Sequence, residues 1–111
     1  MERRRYTRAE ASQSVLYSSD IYPRANVAST LDLSRGGARI RIPYSLIAGE
    51  AIDLAIAVHP RLIKCRGKVV YVEWLGDGKM EAGIEFEGLS FQDRQYLGQY
   101  LLSRGRRVAL S

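Results

Sequence analysis

A carboxylate, a hydroxyl and two glycines lie within the six residues 32–37, Asp-Leu-Ser-Arg-Gly-Gly. Because stretches with the composition of β-strands flank this segment, we expect it to form a tight corner. Asp32 and Ser34 would present oxygen atoms there, and glycine lets a ligand approach the backbone closely. Any hairpin turn can have this composition, so the segment indicates a binding loop only together with a second motif.

The second motif is a group of arginines at positions 3, 4, 5 and 8. The guanidinium group is a planar, charged fork that suits phosphates and the edge of guanine. Arginine only donates hydrogen bonds, whereas an ionised Asp or a hydroxyl can accept them from the amino and imino groups of guanine. The arginines and the loop together predict that one flat, anionic ligand is held between an N-terminal arm and the loop at 32–37.

The charge of the chain supports recognition of an anion. Its 111 residues include 17 Lys and Arg against 12 Asp and Glu, which gives a net charge of +5. Three of the 17 basic residues are lysine and the other 14 are arginine, a bias that favours bidentate contacts. A second basic cluster, at positions 104, 106 and 107, is interpreted as a solvated cluster near the C-terminus.

Residues suited to catalysis are scarce. The single histidine, His59, is followed by Pro60 in a predicted turn, where a structural or exposed role is expected. The single cysteine, Cys65, falls in the apolar phase of a strand and is expected to be a small core residue. One His and one Cys cannot form a zinc site of the usual ligand count, and the sequence has no Walker-type phosphate loop. We therefore expect no enzyme, no metal and no cofactor.

Alternation of apolar and polar residues predicts the elements that position the two motifs. Strands are expected at 15–17, 26–33, 38–42, 51–58, 62–74 and 79–87, and the long strand at 62–74 needs a bulge or bend around Gly67. A helix is expected to begin at a cap formed by Ser90 and Asp93 and to end at Gly105. Five or six short strands with one helix favour a small barrel, with the helix over one opening or side.

The same alternation assigns faces to the side chains. Asp32 shares a face with Ala28 and Thr30, and Glu81 lies on a solvated face. The alternation predicts that three aromatic side chains face the core, namely Tyr71, Trp74 and Phe86.

The domain organisation is expected to be simple. The length fits one domain with one core, divided into a flexible arginine-rich arm at 1–12, the barrel with its helix at 13–104 and a basic tail at 105–111. No apolar run approaches the roughly 20 residues that a membrane span needs, and the N-terminus has no apolar signal-peptide core. A cytoplasmic protein is therefore expected.

The arginines and the loop resemble the two motifs of the PilZ family, bacterial receptor domains for cyclic diguanylate (c-di-GMP). The family has an RxxxR motif near its start and a DxSxxG motif further along the chain. The one frame that fits here is Arg4 to Arg8 followed by Asp32, Ser34 and Gly37. The resemblance covers nearly the whole chain and implies an all-β fold with one helix, a six-stranded antiparallel β-barrel followed by a C-terminal α-helix.

The resemblance also implies a role for each matched residue. Arg4 and Arg8 would hold guanine edges and phosphates as the arm wraps the ligand. Asp32 and Ser34 would accept hydrogen bonds from guanine, and Gly37 would shape the loop.

Four further residues are expected to be auxiliary. Arg3 and Arg5 match no required position and would add charge, while Arg39 would border the site. Gly83 either leaves room for the flat face of the ligand or provides curvature of the barrel.

The expected function is that of a nucleotide-binding receptor in second-messenger signalling. Binding of c-di-GMP would order the arm over the barrel and change a surface that a downstream protein partner reads. Neither a membrane nor a specific nucleic acid is expected as a partner.

Two other interpretations stay open. A basic β-barrel that binds single-stranded nucleic acid needs aromatic side chains beside a cationic groove. Because Tyr71, Trp74 and Phe86 are predicted to face the core, few aromatic side chains remain for such a surface. A PilZ-like domain that binds proteins without c-di-GMP would keep the same fold, and the intact pair of motifs argues against it.

Overall fold

The computed structural model describes residues 9–10, 13–21, 23–43 and 46–110, with side chains described between positions 13 and 103. These residues form seven strands and one helix: β1 (Ala9–Glu10), β2 (Ser14–Ser19), β3 (Asn26–Leu33), β4 (Gly37–Ile42), β5 (Ala51–Val58), β6 (Arg61–Gly76), β7 (Lys79–Glu87) and α1 (Phe91–Leu110). No helix in this part of the chain is long and apolar enough to cross a membrane.

Six of the strands form a closed barrel. They pair in the order β3, β2, β5, β6, β7 and β4, and β4 pairs with β3 to close the ring. Every pair is antiparallel. Closure gives each of the six strands a partner on both sides, which removes the open edges of a flat sheet. The predicted six-stranded antiparallel β-barrel with a C-terminal helix is confirmed.

The inward faces of the strands and one face of α1 share a single apolar core. Alternate residues of β5 are buried, as expected for a strand with one face toward a core. Leu97 and Leu101, one helical turn apart, attach α1 to the barrel. The hydroxyl of Tyr96 donates to the carbonyl oxygens of Val58 and His59, so the helix is also held to the turn between β5 and β6.

The predicted strand boundaries agree with the structure to within two residues. The strands at 26–33, 51–58 and 79–87 have the predicted bounds, and the amide of Asp93 donates to the hydroxyl of Ser90 as the predicted cap requires. The strands predicted at 15–17, 38–42 and 62–74 are each one to three residues longer in the structure. Two other predictions differ more. Ala9–Glu10 forms β1 inside the predicted arm, and α1 continues through Gly105 to Leu110. A single glycine costs a helix only about 1 kcal/mol, and the arginines around it are good helix formers.

The irregularity in β6 is not at Gly67. This glycine stays in register between Ile52 of β5 and Phe86 of β7, and the register against β7 skips Val70 and Leu75 instead. A Cβ at Gly67 would lie 2.6 Å from Cγ2 of Ile84, so glycine is needed here to leave room in the core.

Trp74 is not a core residue. β6 pairs with β5 only as far as Lys68, so its last part is covered by β7 alone. Trp74 lies in that part and is 64% exposed. The predicted core position is wrong because the alternation of residues within β6 does not show where its neighbour β5 ends.

Cys65 packs against the core and is half-buried. Burial raises the pKa of its thiol to about 11. Because the thiolate is the reactive form and is scarce at pH 8, we expect Cys65 to react with the thiol reagent DTNB at least about tenfold more slowly than free cysteine. The rate should rise as the pH approaches 11, where the thiol ionises. A rate equal to that of free cysteine at pH 8 would contradict this prediction.

Candidate functional site

Four residues line up across the outside of the barrel. β3, β4, β7 and β6 lie side by side, and directly paired residues of antiparallel strands point to the same face. Asp32 pairs with Arg39, Arg39 with Gly83, and Gly83 with Tyr71. The residues on either side of Arg39 point into the core, so these four face outward. We call them the outer row.

A bulge in β3 places Asp32 in the outer row. The register of β3 against β4 skips Leu31, between Thr30 and Asp32. One extra residue reverses the alternation of faces, so Leu33 enters the core after the bulge and Asp32 faces outward. The predicted common face of Ala28, Thr30 and Asp32 is therefore wrong, because strict alternation allows for no bulge.

A second bulge, at Val70 in β6, has the same effect on Tyr71. Val69 pairs with Ile84 and is buried, whereas Tyr71 pairs with Gly83 on the outer face. Tyr71 is 36% exposed. Its predicted core position is wrong for the same reason as that of Asp32.

Arg39 joins two buried carboxylates. Its Nε donates to Oδ2 of Asp32 at 2.6 Å, and its Nη1 donates to Oε2 of Glu81 at 3.2 Å. Asp32 is 3% exposed and Glu81 is 6% exposed. The hydrogen bond to Asp32 is the main reason that the pKa of Arg39 is raised, so both carboxylates keep a cation beside them. Glu81 is thus not the solvated side chain that the sequence predicts.

Glu81 also accepts a hydrogen bond from Tyr71, whose hydroxyl lies 2.6 Å from Oε2. Burial, and then this hydrogen bond, raises the pKa of Tyr71, so the phenol stays protonated and donates. The ring of Tyr71 lies on Gly83, where a Cβ would overlap it. The room that Gly83 leaves is therefore filled by a tyrosine of the same chain.

Sequence reasoning missed Glu81 and Tyr71 as site residues. The signal that could have found them is Gly83, because a glycine inside a strand often marks the close approach of another group. Nothing in the sequence identifies Val70 as the bulge that turns Tyr71 toward this glycine.

The loop after β3 folds around the hydroxyl of Ser34. The amides of Gly36 and Gly37 donate to this hydroxyl, which itself donates to the carbonyl oxygen of Gly37, each at 3.2 Å. The carbonyl oxygen of Gly36 accepts a hydrogen bond from the amide of Phe86 at 2.9 Å, which attaches the loop to β7. In this geometry the buried side chain of Ser34 holds the shape of the loop.

The strand β1 approaches the loop from the other side. Ala9 pairs with Leu33 and Glu10 with Asp32, so β1 runs beside the end of β3 that carries Asp32. The predicted arm arginines lie outside the described residues: Arg3, Arg4, Arg5 and Arg8.

A separate groove of about 530 Å³ lies on the outer face of β2, β5 and β6. Leu16, Ala55 and Lys64 are among its lining residues, and none of the predicted site residues is. We assign the candidate site to the outer row because buried charges converge there, whereas the groove is open and largely apolar. In the described part of the chain, no group of three His, Cys, Asp or Glu could hold a metal ion.

Comparison with known families gives a match over most of the chain. The model of the PilZ domain matches residues 2–103. The chain belongs to the PilZ family. A search of curated proteins found no significant match.

Solved structures show that this PilZ domain has the fold of three other proteins. The inhibitor of motility MotI (DgrA) of Bacillus subtilis has a TM-score of 0.82 and 23% identity, over 96% of this chain and 53% of its own. The PilZ domain of YcgR from Escherichia coli, with c-di-GMP, has a TM-score of 0.73 and 15% identity, over 96% of this chain and 95% of its own. MrkH of K. pneumonia, in complex with c-di-GMP, has a TM-score of 0.78 and 16% identity, over 98% of this chain and 55% of its own. The chain thus spans about half the length of MotI and MrkH.

Gly37→Ala should destabilise this PilZ barrel. A Cβ at position 37 would overlap the carbonyl oxygen of Ile84, so β4 and β7 would have to separate. Overpacking of this kind costs about 1–3 kcal/mol, which should lower the melting temperature by several degrees in a circular-dichroism melt.

Gly98→Ala in α1 is the matched control. The added Cβ would lie 3.1 Å from Cδ of the exposed Arg35 side chain, which needs to shift by only a few tenths of an ångström, and alanine favours the helix by about 1 kcal/mol. We expect an unchanged or higher melting temperature for this variant. A Gly37→Ala protein with the same melting temperature as the wild type would show that the close approach of β4 and β7 is not as described.

Proposed function

We propose that this PilZ domain is a receptor for c-di-GMP, which it binds between the arginines of the arm and the outer row. The observation that carries the proposal is the position of Asp32. Its buried carboxylate lies in the outer row, directly before the Ser34 loop and beside β1, into which the arm leads. Membership of the PilZ family and the presence of c-di-GMP in the structures of YcgR and MrkH support the proposal.

The chemistry of the site matches a guanine nucleotide. A carboxylate accepts hydrogen bonds from the imino and amino groups of guanine, and arginine donates to the other edge of the base and to phosphates. We assign the acceptor role to Asp32 and the donor roles to Arg4 and Arg8. Because the hydroxyl of Ser34 is engaged by its own loop, its first role is to hold that loop beside Asp32.

The covalent connection keeps the arm near the site. Arg8 directly precedes Ala9, which pairs with Leu33, and Arg4 is four residues further upstream. At up to about 3.6 Å per residue, both arginines are within about 18 Å of Ala9. Ordering about six arm residues costs roughly 6–12 kcal/mol, and charge-assisted hydrogen bonds return roughly 1.5–3 kcal/mol each. About four such bonds are needed to offset that cost, so the proposal requires both arginines.

The proposed output is a surface that changes when the arm is ordered. Gln13, just after the predicted arm, connects two elements: its amide donates to the hydroxyl of Thr30 on β3, and its side chain donates to the hydroxyl of Tyr100 on α1. The strand β1, into which the arm leads, also contacts α1, so an ordered arm would extend from beside this helix. A partner protein would read the combined surface of arm and helix.

Single-stranded nucleic acid is a second candidate ligand, and the exposure of Trp74 and Tyr71 favours it. Exposed aromatic rings beside basic residues are the platforms on which bases stack. Titration with short oligonucleotides over a range of salt concentrations separates the two functions. Binding driven by phosphates weakens steeply with salt, whereas a guanine pocket should still prefer c-di-GMP at high salt.

Arg8→Lys should weaken c-di-GMP binding at least about tenfold in isothermal titration calorimetry. A lysine keeps the charge but cannot form the two parallel hydrogen bonds of a guanidinium, and each such bond contributes roughly 1.5–3 kcal/mol. Arg24→Lys, at an exposed position outside the site, is the control and should bind as the wild type does. Equal affinity of Arg8→Lys and the wild type would exclude a clamp by the arm.

Saturating c-di-GMP should stabilise the wild-type domain. A ligand that binds only the native state, at 100 times its dissociation constant, adds about 2.7 kcal/mol, or roughly 10 °C in the melting temperature of a domain of this size. A melt that c-di-GMP does not shift would favour a PilZ domain that binds only proteins.

A further inference from the structure

A chain of hydrogen bonds runs beside the outer row and ends at Asp32. Tyr71 donates to Oε2 of Glu81 at 2.6 Å, and Arg39 donates to the same oxygen at 3.2 Å. The Nε of Arg39 donates to Oδ2 of Asp32 at 2.6 Å. Asp32 belongs to the DxSxxG motif, whereas the other three residues belong to neither motif.

Arg39 is fixed because two different carboxylates hold it. A guanidinium that is bonded through Nε to one carboxylate and through Nη1 to another cannot rotate without breaking one of the bonds. The side chain of Glu81 is 8% exposed, against 33% for Arg39. A carboxylate this buried has little access to water as an alternative partner. Glu81 therefore fixes Nη1 of Arg39, as the likewise buried Asp32 fixes its Nε.

Tyr71 in turn fixes Glu81. Its ring lies on Gly83, and its neutral hydroxyl donates to the carboxylate oxygen that faces Arg39. Without the hydroxyl, the carboxylate of Glu81 could turn about its last torsion, which is broad for glutamate. The ring and the hydroxyl thus have separable roles, and Tyr71→Phe removes only the second.

We propose that Glu81, held by Tyr71, is a positioning residue for guanine recognition, which acts through Arg39 to hold the carboxylate of Asp32 toward the exocyclic amino group of the base. This inference rests on the proposed function, because it concerns the same c-di-GMP site. It adds that selectivity for guanine depends on three residues outside the two motifs.

The predicted consequence concerns selectivity more than affinity. The arm arginines donate to phosphates and to the O6 and N7 edge of the base, which a base without the exocyclic amino group still has, whereas the carboxylate of Asp32 accepts from that amino group. Cyclic di-inosine monophosphate (c-di-IMP) differs from c-di-GMP by lacking that group. The ratio of the two dissociation constants therefore reports how well Asp32 is held, and a general loss of stability leaves this ratio unchanged.

The experiment measures both dissociation constants by calorimetry for the wild type, Tyr71→Phe and Glu81→Gln. Two matched controls keep the chemistry of each change but lie outside the chain of hydrogen bonds. Tyr96→Phe removes a hydroxyl that bonds to Val58 and His59, and Glu87→Gln neutralises an exposed carboxylate at the end of β7. Melting temperatures of all five proteins show that each is folded.

We expect the wild type to bind c-di-GMP at least tenfold more tightly than c-di-IMP. This ratio should fall at least threefold in Tyr71→Phe and Glu81→Gln, and it should stay within twofold of the wild type in both controls. A ratio that is the same in all folded proteins overturns the inference and leaves the c-di-GMP receptor intact. A wild type that binds neither ligand overturns the receptor and the inference together.

Discussion

The ion pair between Asp32 and Arg39 depends on one extra residue in β3. Between Thr30 and Asp32 the strand carries Leu31, which has no counterpart on β4. Strict alternation would turn Asp32 toward the core, where an unpaired carboxylate costs several kcal/mol. The bulge instead sends Leu33 inward, with 0% of its surface exposed, and turns Asp32 outward to Arg39. Bulges are common beside functional sites because they redirect single side chains in this way.

A second bulge on the far side of the same four strands completes the arrangement. Val70 turns Tyr71 outward, so its ring covers Gly83 and its hydroxyl reaches Glu81. Arg39 lies between the two bulges and serves as counter-ion to Asp32 and Glu81. The barrel strands thus hold these side chains in fixed positions. The Ser34 loop follows Asp32 along the chain, and β1 lies beside Asp32. A site on strands holds its geometry better than a site on loops alone.

Much of the fold could be predicted from the sequence, because period-two alternation is a strong local signal in strands such as those at 51–58 and 79–87. The PilZ motifs led to Asp32, Ser34 and Gly37, although not to the face on which Asp32 lies. The bulges at Leu31 and Val70 were not predictable, since their position is set by pairing with another strand. The burial of Glu81 and the exposure of Trp74 have the same origin, because both depend on neighbours distant in the sequence.

The most direct test of this account is a titration of ¹⁵N-labelled protein with c-di-GMP, followed by NMR. We expect the largest chemical-shift changes at the amides of Asp32, Arg39, Gly83 and the loop 34–36, with little change around Leu16, Ala55 and Lys64 in the separate groove. Changes concentrated in that groove, with the outer row unaffected at saturation, would contradict it.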